Sequence, residues 1–418
     1  MSRFPKLTET FVLYEMVAVE NLGATVEIYP LLRERQKAAH PEALRLSRRA
    51  HFHPFVSLPI LRAQWFYLRR DWRAYLKLAW QVLRGTFGSV NFFIGALGVF
   101  PKAVRFAYEM ERDGVAHVHC HFATHPAVAG LIIHRLTGIP FSFTAHGSDL
   151  HVDRTMLADK VRAAAFVVAI SEFNKNVIVQ ECGEAWRDKV QVIHCGVDPE
   201  MLNAATARPA SGGRLQILCV ASFEEVKGHR HLVAACRQLS DQGIDYDCHL
   251  VGGGPLRAQV EAQLRQLGLE SRFHVHGELT RPEVAELLAR ADVFVLASVP
   301  TAQGKREGIP VVLMEAMASG LPVVSSRLSG IPELVADGRS GILVEPGDSQ
   351  GLARALAALQ ADPALRQAMG GAGLDKVRRE FNLERNAARL LALFAAAGPG
   401  SATRPPADYP ALRASHNC

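Results

Sequence analysis

The chain lacks the sequence features of a membrane-spanning or exported protein. No uninterrupted apolar run of about 20 residues, the length needed to cross a bilayer, occurs in the sequence. The opening residues include Arg3, Lys6 and Glu9, and they are not followed by the apolar run and cleavage site of a signal peptide. These absences predict a cytoplasmic protein without a spanning helix.

Paired cysteines are also missing. The 7 cysteines are dispersed and no two form a Cys-x-x-Cys motif, which argues for reduced thiols and against structural zinc. His117, His119 and His121 alternate on one face of a predicted strand, but we interpret them as strand or cleft lining rather than zinc ligands. Asp245-Tyr-Asp247 precedes a strand, remote from the expected cleft. We therefore expect no catalytic metal and no cofactor.

The net charge of +6 is concentrated in one segment of the 418-residue chain. Residues 33–84 contain twelve Lys or Arg and three acids, a local charge of +9, so the rest carries −3. Basic and aromatic side chains on helical spacing suit the surface of an anionic bilayer, and a solvated helical face with core aromatics is the alternative. No other part of the sequence supports a nucleic-acid partner. Aromatic residues interleaved with the basic ones there are Trp65, Phe66, Tyr67, Trp72, Tyr75 and Trp80.

Strand-like and helical patterns alternate twice along the chain, which is typical of parallel α/β units. The length suits two domains of about 200 residues each. Residues 201–213 are low in large apolar side chains and are the predicted linker. The predicted strands lie near residues 25–29, 115–119, 139–144, 166–170 and 190–193 in the first half, and near 215–220, 247–251, 272–275, 292–297 and 322–325 in the second.

The most informative motif is Glu307-Gly-Ile-Pro-Val-Val-Leu-Met-Glu315. It follows a buried strand-like run, and Pro310 suits the first turn of a helix. A helix N-terminus presents unpaired N–H groups, so a diphosphate can rest on the amides around Gly308, Ile309 and Pro310. The two carboxylates would then accept hydrogen bonds from a sugar at one end and a ribose at the other. The alternative is that both glutamates are solvated.

Two further loops follow predicted strands. Lys227 lies at the carboxyl edge of the second-domain sheet, where it can neutralise the phosphate of a departing nucleotide; a surface lysine is the alternative. Gly252 and Gly253 belong to a glycine cluster that would let the backbone approach a nucleotide, although a glycine cluster alone is a weak signal.

The motif, continued through Gly330-Ile-Pro-Glu-Leu334 and Gly341-Ile-Leu-Val344, resembles the signature of the family 4 retaining glycosyltransferases. The resemblance covers nearly the whole chain and implies the α/β GT-B fold, in which two Rossmann-like domains with parallel sheets face each other across a cleft. It implies an N-terminal acceptor domain over residues 1–200, the linker, a nucleotide-sugar domain over 214–382, a helix over 383–397 that returns to the first domain, and a disordered tail over 398–418.

The resemblance also implies roles for individual residues. His146, in a loop at the carboxyl edge of the first sheet, would orient the sugar and act with Lys227 and Glu307 in catalysis. Ser222, also an implied donor contact, stands where the family has an arginine, so one phosphate clamp is missing. Either Lys305 or Arg306 replaces it, or stabilisation of the leaving group is weaker. The other donor contacts implied are Gly252, Gly253, Gly277, Gly308, Ile309, Pro310, Val311 and Glu315.

The opening Arg3-Phe-Pro-Lys-Leu-Thr-Glu-Thr-Phe11 is similar to that of bacterial exopolysaccharide and colanic-acid transferases. This implies a lipid-linked oligosaccharide acceptor contacted by Arg3, Thr8 and Glu9, and an enzyme at the inner face of the plasma membrane. In the family a short apolar strand precedes this opening, and here that strand would end at Met1. We therefore expect either that the first domain lacks the strand or that the start of the chain was assigned too late. A nucleotide-sugar 2-epimerase and a non-catalytic sugar-binding member are the rival functions.

Overall fold

The computed structural model describes residues 1–6, 9–34, 41–198 and 213–398. Thr8, the linker up to residue 212 and the tail beyond Gly398 lie outside this described part. Twelve strands occur in it: β1 (Arg3–Phe4), β2 (Leu32–Arg33), β3 (Val118–His121), β4 (Phe141–Ala145), β5 (Phe166–Ala169), β6 (Val190–Val192), β7 (Leu215–Val220), β8 (Tyr246–Val251), β9 (Phe273–Gly277), β10 (Val293–Leu296), β11 (Val323–Ser326) and β12 (Gly341–Val344).

Helices cover both faces of the sheets. In the first half they are α1 (Thr10–Asn21), α2 (Pro41–Ser47), α3 (Leu58–Arg70), α4 (Trp72–Thr86), α5 (Val90–Arg112), α6 (His125–Thr137), α7 (Ser148–His151), α8 (Leu157–Ala163) and α9 (Glu172–Cys182). In the second half they are α10 (His229–Asp241), α11 (Arg257–Leu267), α12 (Arg281–Arg290), α13 (Val311–Ala318), α14 (Ile331–Leu334), α15 (Ser349–Ala361), α16 (Pro363–Glu380) and α17 (Leu383–Ala396).

Every strand pair in the described residues is parallel. The second half forms a six-stranded sheet of order β12-β11-β10-β7-β8-β9, and the first half forms a four-stranded sheet of order β3-β4-β5-β6 beside the two-stranded β1-β2 pair. Strands such as β10 are buried along their whole length, as expected when helices cover both faces of a parallel sheet. The predicted α/β fold with two parallel-sheet domains is confirmed.

Several details differ from the sequence prediction: β1 and β2 were not predicted, and the strand predicted at 115–119 lies at Val118–His121. Residues 25–29 do not form a strand, and only Ile28 makes a bridge, to Ala50. The short apolar run of β12 was missed, although it pairs with β11 at the edge of the second sheet. Asp245 and Asp247 lie at the amino edge of this sheet, and both pair with Arg214, at 3.1 and 3.2 Å.

The last helix joins the two halves. α17 packs along α1, and Phe394 lies against Phe166 and His117 of the first domain. The chain crosses between the domains where Val197 and Phe381 share a backbone hydrogen bond of 3.0 Å. The end of the second domain thus forms part of the first domain's core.

A carboxylate also holds the domains together. Glu333 in α14 accepts hydrogen bonds from the amides of Glu172 and Phe173, at 2.8 and 3.0 Å, in the first turn of α9. Although burial opposes its ionisation, hydrogen bonds from His194 and these two amides lower the pKa of Glu333. A helix N-terminus favours an anion, so this contact fixes one side of the interdomain cleft.

One described helix is long and apolar enough to cross a membrane. This helix is α5, Val90–Arg112, and 44% of its apolar 18-residue stretch is buried inside the fold. α5 packs closely against α6, α3 and α4, as the core helix of a domain does.

Candidate active site

The site is built around the amino end of α13. The chain leaves β10 through the loop that contains Glu307 and Gly308, and α13 begins directly after Pro310. Pro310 has φ −66° and ψ 123°, outside the helical region, and no side chain caps the helix. The amides of the first turn are therefore suited to an external anion.

Lys227 and Glu307 meet at this helix end. The Lys227 Nζ lies 2.9 Å from Glu307 Oε1, and their side chains are 19% and 14% exposed. Gly228 follows Lys227 with φ +67°, and a Cβ there would overlap the backbone carbonyl of Ala297. The loop after β7 consequently rests on the end of β10, which brings the two predicted catalytic side chains together.

The opposite domain reaches the same point through a backbone contact. A Cβ on Gly147 would lie 3.2 Å from the Gly308 Cα, and a Cβ on Gly308 would lie 2.6 Å from the His146 carbonyl oxygen. Only residues without side chains allow this approach. The carboxylate of Asp149 accepts from the amides of His146 and Gly147, at 3.0 and 2.7 Å, and so holds the first-domain loop in place.

The His146 imidazole itself faces the first domain. Its Nε2 lies 3.2 Å from Nδ1 of His121, and its Nδ1 lies 3.9 Å from the Cys195 Sγ. Its ring packs between Phe11 and Phe122, and burial lowers its pKa to about 3, so the ring is neutral near pH 7. The group that His146 directs at Gly308 is its backbone carbonyl oxygen. A catalytic role for His146 stays a prediction.

Glu315 lies one turn further along α13 and is buried. Desolvation raises its pKa to about 7, although the nearby Arg281 favours the charged form. Arg281 also bonds to the Tyr14 hydroxyl at 3.0 Å and lies over the Tyr14 ring, 4.9 Å from its centroid. Tyr14 belongs to the first domain. The Glu315 carboxyl group, the Arg281 guanidinium and the Tyr14 phenol therefore bring both domains to this end of the site.

A lysine lies near the loop that contains Ser222, and its replacement of the missing arginine stays a prediction. The Lys305 Nζ lies 2.6 Å from the carboxylate of Glu224, whose amide donates to the carbonyl oxygen of Ser222 at 2.7 Å. The hydrogen bond from Lys305 and the positive charge of that lysine lower the pKa of Glu224, and a hydrogen bond from the Ser222 side chain lowers it further. Arg306, the other candidate, is exposed. Of the two, Lys305 lies next to the loop that lacks the arginine.

The predicted nucleotide-binding glycines form a close backbone contact. The Gly252 amide donates to the Gly277 carbonyl at 2.7 Å, and a Cβ on Gly252 would overlap the carbonyl of Ala221. A Cβ on Gly253 would lie 2.7 Å from a carboxylate oxygen of Glu278. Packing between adjacent loops already requires a glycine at Gly252, whereas at Gly253 only the Glu278 side chain would have to move. The contact of both glycines with a nucleotide stays a prediction.

The predicted acceptor residues lie before and at the start of α1. Arg3 pairs with Glu34 at 3.1 Å, and Glu9 pairs with Lys6 at 2.6 Å. Thr8 is outside the described residues. Phe11, in the first turn of α1, contacts His146 and packs against a buried cluster to which both domains contribute, so this end of α1 lies near the cleft.

A group of possible metal ligands lies behind His146. Nitrogen and oxygen atoms of Glu15, His119 and His121 fall within 4.8 Å of one another. However, the hydroxyls of Ser142 and Thr144 contact both ring nitrogens of His119, at 2.8 and 2.9 Å. A metal ion here would have to displace one of these bonds.

Comparison with known proteins identifies the family. Residues 82–201 match the family model described as Glycosyltransferase Family 4, and residues 205–375 match the model described as Glycosyl transferases group 1. A 2-deoxystreptamine glucosyltransferase from Streptomyces kanamyceticus is 31% identical over 291 residues, covering 64% of this chain and 73% of the relative. The chain belongs to the family 4 glycosyltransferases.

Higher identity is found over shorter stretches. A putative colanic acid biosynthesis glycosyltransferase from Escherichia coli is 40% identical over 214 residues, 49% of this chain and 51% of the relative. An amylovoran biosynthesis glycosyltransferase from Erwinia amylovora is 41% identical over 195 residues, 47% of this chain and 48% of the relative. The matches thus span about half the length of these two relatives.

Solved structures share the GT-B fold over nearly the whole chain. A glycosyltransferase from Rickettsia africae has a TM-score of 0.69 at 17% identity, covering 95% of this chain and 97% of that structure. An Anabaena protein crystallised with UDP-glucose has a TM-score of 0.66 at 19% identity, covering 93% and 96%. At these identities the likeness concerns the fold alone.

Sequence reasoning missed Arg281 and Glu333 as site residues. Arg281 contacts Tyr14 and Glu333 contacts Glu172 across the cleft, over separations of 267 and 161 residues. No local spacing signals such contacts. Glu333 belongs to Gly330-Ile-Pro-Glu-Leu334, a part of the motif that carries the family resemblance, and this membership was the available signal.

We expect Gly308→Ala to impair this family 4 glycosyltransferase without unfolding it. The added methyl would lie 2.6 Å from the His146 carbonyl, so the two loops must separate. A displacement of about 1 Å can cost about 100-fold in rate, and we expect a loss of that order in nucleoside diphosphate release from the donor. Gly371→Ala in α16, where a Cβ meets nothing within 4 Å, is the matched control. Equal rates for both variants would contradict the contact.

We expect binding of a nucleoside diphosphate to depend on the ionisation of Glu315. The raised pKa of about 7 means that the carboxylate dominates above this pH and the weaker, protonated acceptor below it. Affinity measured by calorimetry should therefore fall about tenfold as the pH is lowered from about 8 to about 6. Glu315→Gln should weaken the dependence to that of the ligand's own terminal phosphate, whose second pKa is about 6. Glu345→Gln, at a residue whose side chain is 74% exposed, should keep it in full. A parent protein with pH-independent affinity would contradict this role.

Proposed function

We propose that the protein is a retaining glycosyltransferase that moves a hexose-like sugar from a nucleoside diphosphate donor to a hydroxyl acceptor. The observation that carries the proposal is the Lys227–Glu307 pair, 2.9 Å apart, at the uncapped amino end of α13. A cation and free amides suit a diphosphate, and a carboxylate beside them suits sugar hydroxyls. The nucleotide sugar bound to an Anabaena protein of the same fold supports the donor class.

Each group has a role in this scheme. The diphosphate rests on the amides around Gly308 with Lys227 beside it, and Glu307 leaves its ion pair to accept hydrogen bonds from the sugar. Glu315 accepts from the ribose. As the bond between the anomeric carbon and the phosphate oxygen breaks, Lys227 and the helix end stabilise the charge on the leaving diphosphate.

Retention follows from attack on the same face as departure. The acceptor hydroxyl bonds to the anomeric carbon, its proton passes to the departing phosphate oxygen, and the nucleoside diphosphate leaves. The buried, neutral imidazole of His146 is no proton donor near pH 7. In this proposal the His146 carbonyl oxygen, which faces Gly308, takes over the orientation of a sugar hydroxyl. Contact between the two loops excludes water and so limits hydrolysis.

The proposed acceptor is a lipid-linked oligosaccharide of exopolysaccharide synthesis. Two relatives of about 40% identity are named for colanic acid and amylovoran biosynthesis, which supports this class. Such an acceptor lies in a membrane, and the first domain carries a surface suited to one. Among the described residues, all but Val152 of the exposed large apolar side chains fall between Leu44 and Leu97.

This apolar surface lies on the outer faces of α3, α4 and α5. Trp65, Trp72 and Trp80 are 62%, 57% and 66% exposed, while Tyr67 is buried at 2%. Arg62, Arg73 and Lys77 are exposed on the same helices, which makes the surface both basic and apolar. These properties support peripheral binding of the enzyme to the cytoplasmic face of an anionic membrane, in preference to a merely solvated face.

The transfer reaction is tested by incubating the protein with a panel of nucleoside diphosphate sugars and glycoside or lipid-linked acceptors. We expect a donor that gives free nucleoside diphosphate and a glycoside of retained anomeric configuration by NMR. Lys227→Ala and Glu307→Gln should each lower the rate at least about 100-fold, since both act on the reacting bond. Lys376→Ala is the matched control, because Lys376 is 19% exposed and pairs with Glu380 at 2.7 Å on α16.

Each rival function has its own outcome. Formation of an epimerised nucleotide sugar, without a glycoside product, would establish the 2-epimerase. Binding without turnover of any donor would establish a non-catalytic member. Full transfer by the Lys227 and Glu307 variants would leave the reaction class intact but place its chemistry elsewhere.

The membrane proposal is tested by sedimentation with phosphatidylglycerol-rich vesicles. Replacing Arg62, Arg73 and Lys77 by Gln should weaken binding at least about tenfold, since each basic residue near an anionic surface contributes about 1 kcal/mol. The same replacement at Arg265, Arg339 and Arg354, exposed on the second domain, removes equal charge and should leave binding unchanged. Binding that is absent at every salt concentration, or equally weakened by both sets, would contradict the assignment.

A further inference from the structure

Three histidines lie side by side on one face of the second domain's sheet. His249 in β8 is the register partner of His274 in the edge strand β9, and His276 lies two residues further along β9. Alternate residues of a strand share a face, so the three imidazoles project from the same side of the sheet. The ring of His249 is centred 4.7 Å from that of His274 and 5.2 Å from that of His276. His249 is half-buried, and the other two are exposed to solvent.

A bulge in β9 directs the third ring toward the first. The register pairs Val251 with Gly277 instead of His276, so His276 is an extra residue of the edge strand. Bulges re-aim side chains, and they are rare between parallel strands. Nε2 of His276 lies 2.9 Å from Nδ1 of His249 as a result. The irregularity in the strand thus serves to bring two imidazole nitrogens together.

Polar neighbours fix the proton of His249 on its outer nitrogen. The side-chain nitrogen of Gln216 donates to the carboxylate of Asp247 at 3.2 Å, so the amide oxygen of Gln216 is left to accept from Nε2 of His249, at 3.3 Å. Nδ1 of His249 therefore keeps its lone pair and directs it at His276. Asp247 also lies 3.6 Å from Nε2 of His274. Metal-ligating histidines have such acceptors at their outer nitrogen, which orient the ring.

The separation of the nitrogens suits a metal ion. Zinc binds imidazole nitrogens at about 2.0–2.1 Å in tetrahedral geometry, which places two such nitrogens about 3.3 Å apart. His249 and His276 are already close to this separation, so an ion can replace the proton that they share after a small displacement. His274 stacks on His249 with 21° between the ring planes, and its side chain is 48% exposed. A turn of this exposed ring brings its Nδ1 to the same ion.

We propose that His249, His274 and His276 form a binding site for zinc(II) on the open face of the nucleotide-sugar domain, with water as the fourth ligand. Imidazole is a ligand that zinc, copper and nickel accept, so these ions share the site's chemistry. The site contains no cysteine, and the dispersed cysteines of the chain do not argue against it. It uses none of the residues assigned to transfer, so it does not rest on the proposed function.

The test titrates the full chain, freed of metal with EDTA and then of the chelator, with zinc chloride in a calorimeter. We expect one zinc ion to bind and to raise the melting temperature, because it binds the folded protein. Cobalt(II) should give the strong visible absorption of a four-coordinate ion. Gln216→Leu removes an outer acceptor but no imidazole and should weaken zinc binding about tenfold. His274→Asn and His276→Asn, which remove ligands at exposed positions, should weaken it at least as much.

Two variants serve as controls. His231→Asn removes a half-buried histidine of the same domain, and Glu15→Gln removes the carboxylate of the group that contains His119 and His121. Both should keep the zinc affinity of the parent. Melting temperatures without zinc establish that each variant is folded. Absence of zinc binding, or equal affinity in the parent and the histidine variants of β9, would overturn the proposal. Loss of binding in Glu15→Gln alone would place the ion in the first domain and would also overturn it.

Discussion

The backbones of Gly147 and Gly308 touch across the interdomain cleft, and the candidate active site depends on this contact. It brings the amino end of α13, with Lys227 and Glu307, against a loop of the other domain. Any side chain at either position would separate the loops. The contact is supported on both sides, by Asp149 below the first loop and by Glu333 on the amides of α9. Domain geometry and site geometry are therefore set by the same few hydrogen bonds.

Burial determines the charge state of the groups around this contact. Desolvation keeps His146 neutral and raises the pKa of Glu315 to about 7. Glu333, which is also partly buried, stays ionised because two amides and His194 donate to it. The Lys227–Glu307 pair carries opposite charges next to a helix N-terminus, so an incoming diphosphate finds a cation and free donors together. The arrangement suits electrostatic stabilisation of a leaving group better than proton transfer by histidine.

The fold was largely predictable because its strands are buried on both faces. A continuous apolar run predicted β7 at the residues that the structure assigns to it, and the strand, proline and glycine order predicted α13 to within one residue. Residues 25–29, Thr-Val-Glu-Ile-Tyr, alternate polar and apolar side chains but form no strand, and only Ile28 makes a bridge, to Ala50. β12 was not predicted as a strand, although Gly341–Val344 stood within the motif that carries the family resemblance.

The site was predictable only in part, for a physical reason. Lys227, Glu307 and Glu315 lie in loops and a helix at the carboxyl edge of one sheet, which local patterns locate. Sequence cannot show whether His146 directs its ring or its carbonyl at the cleft, since both follow the same strand. Arg281 and Tyr14 meet only through the packing of one domain on the other.

A crystal structure of the protein with a bound nucleoside diphosphate sugar tests the central claim most directly. The diphosphate should lie on the amides between Gly308 and Val311, with one oxygen within about 3 Å of the Lys227 Nζ and the sugar beside Glu307. A diphosphate bound away from α13, or one with Lys227 and Glu307 still paired and turned from it, would contradict the assignment.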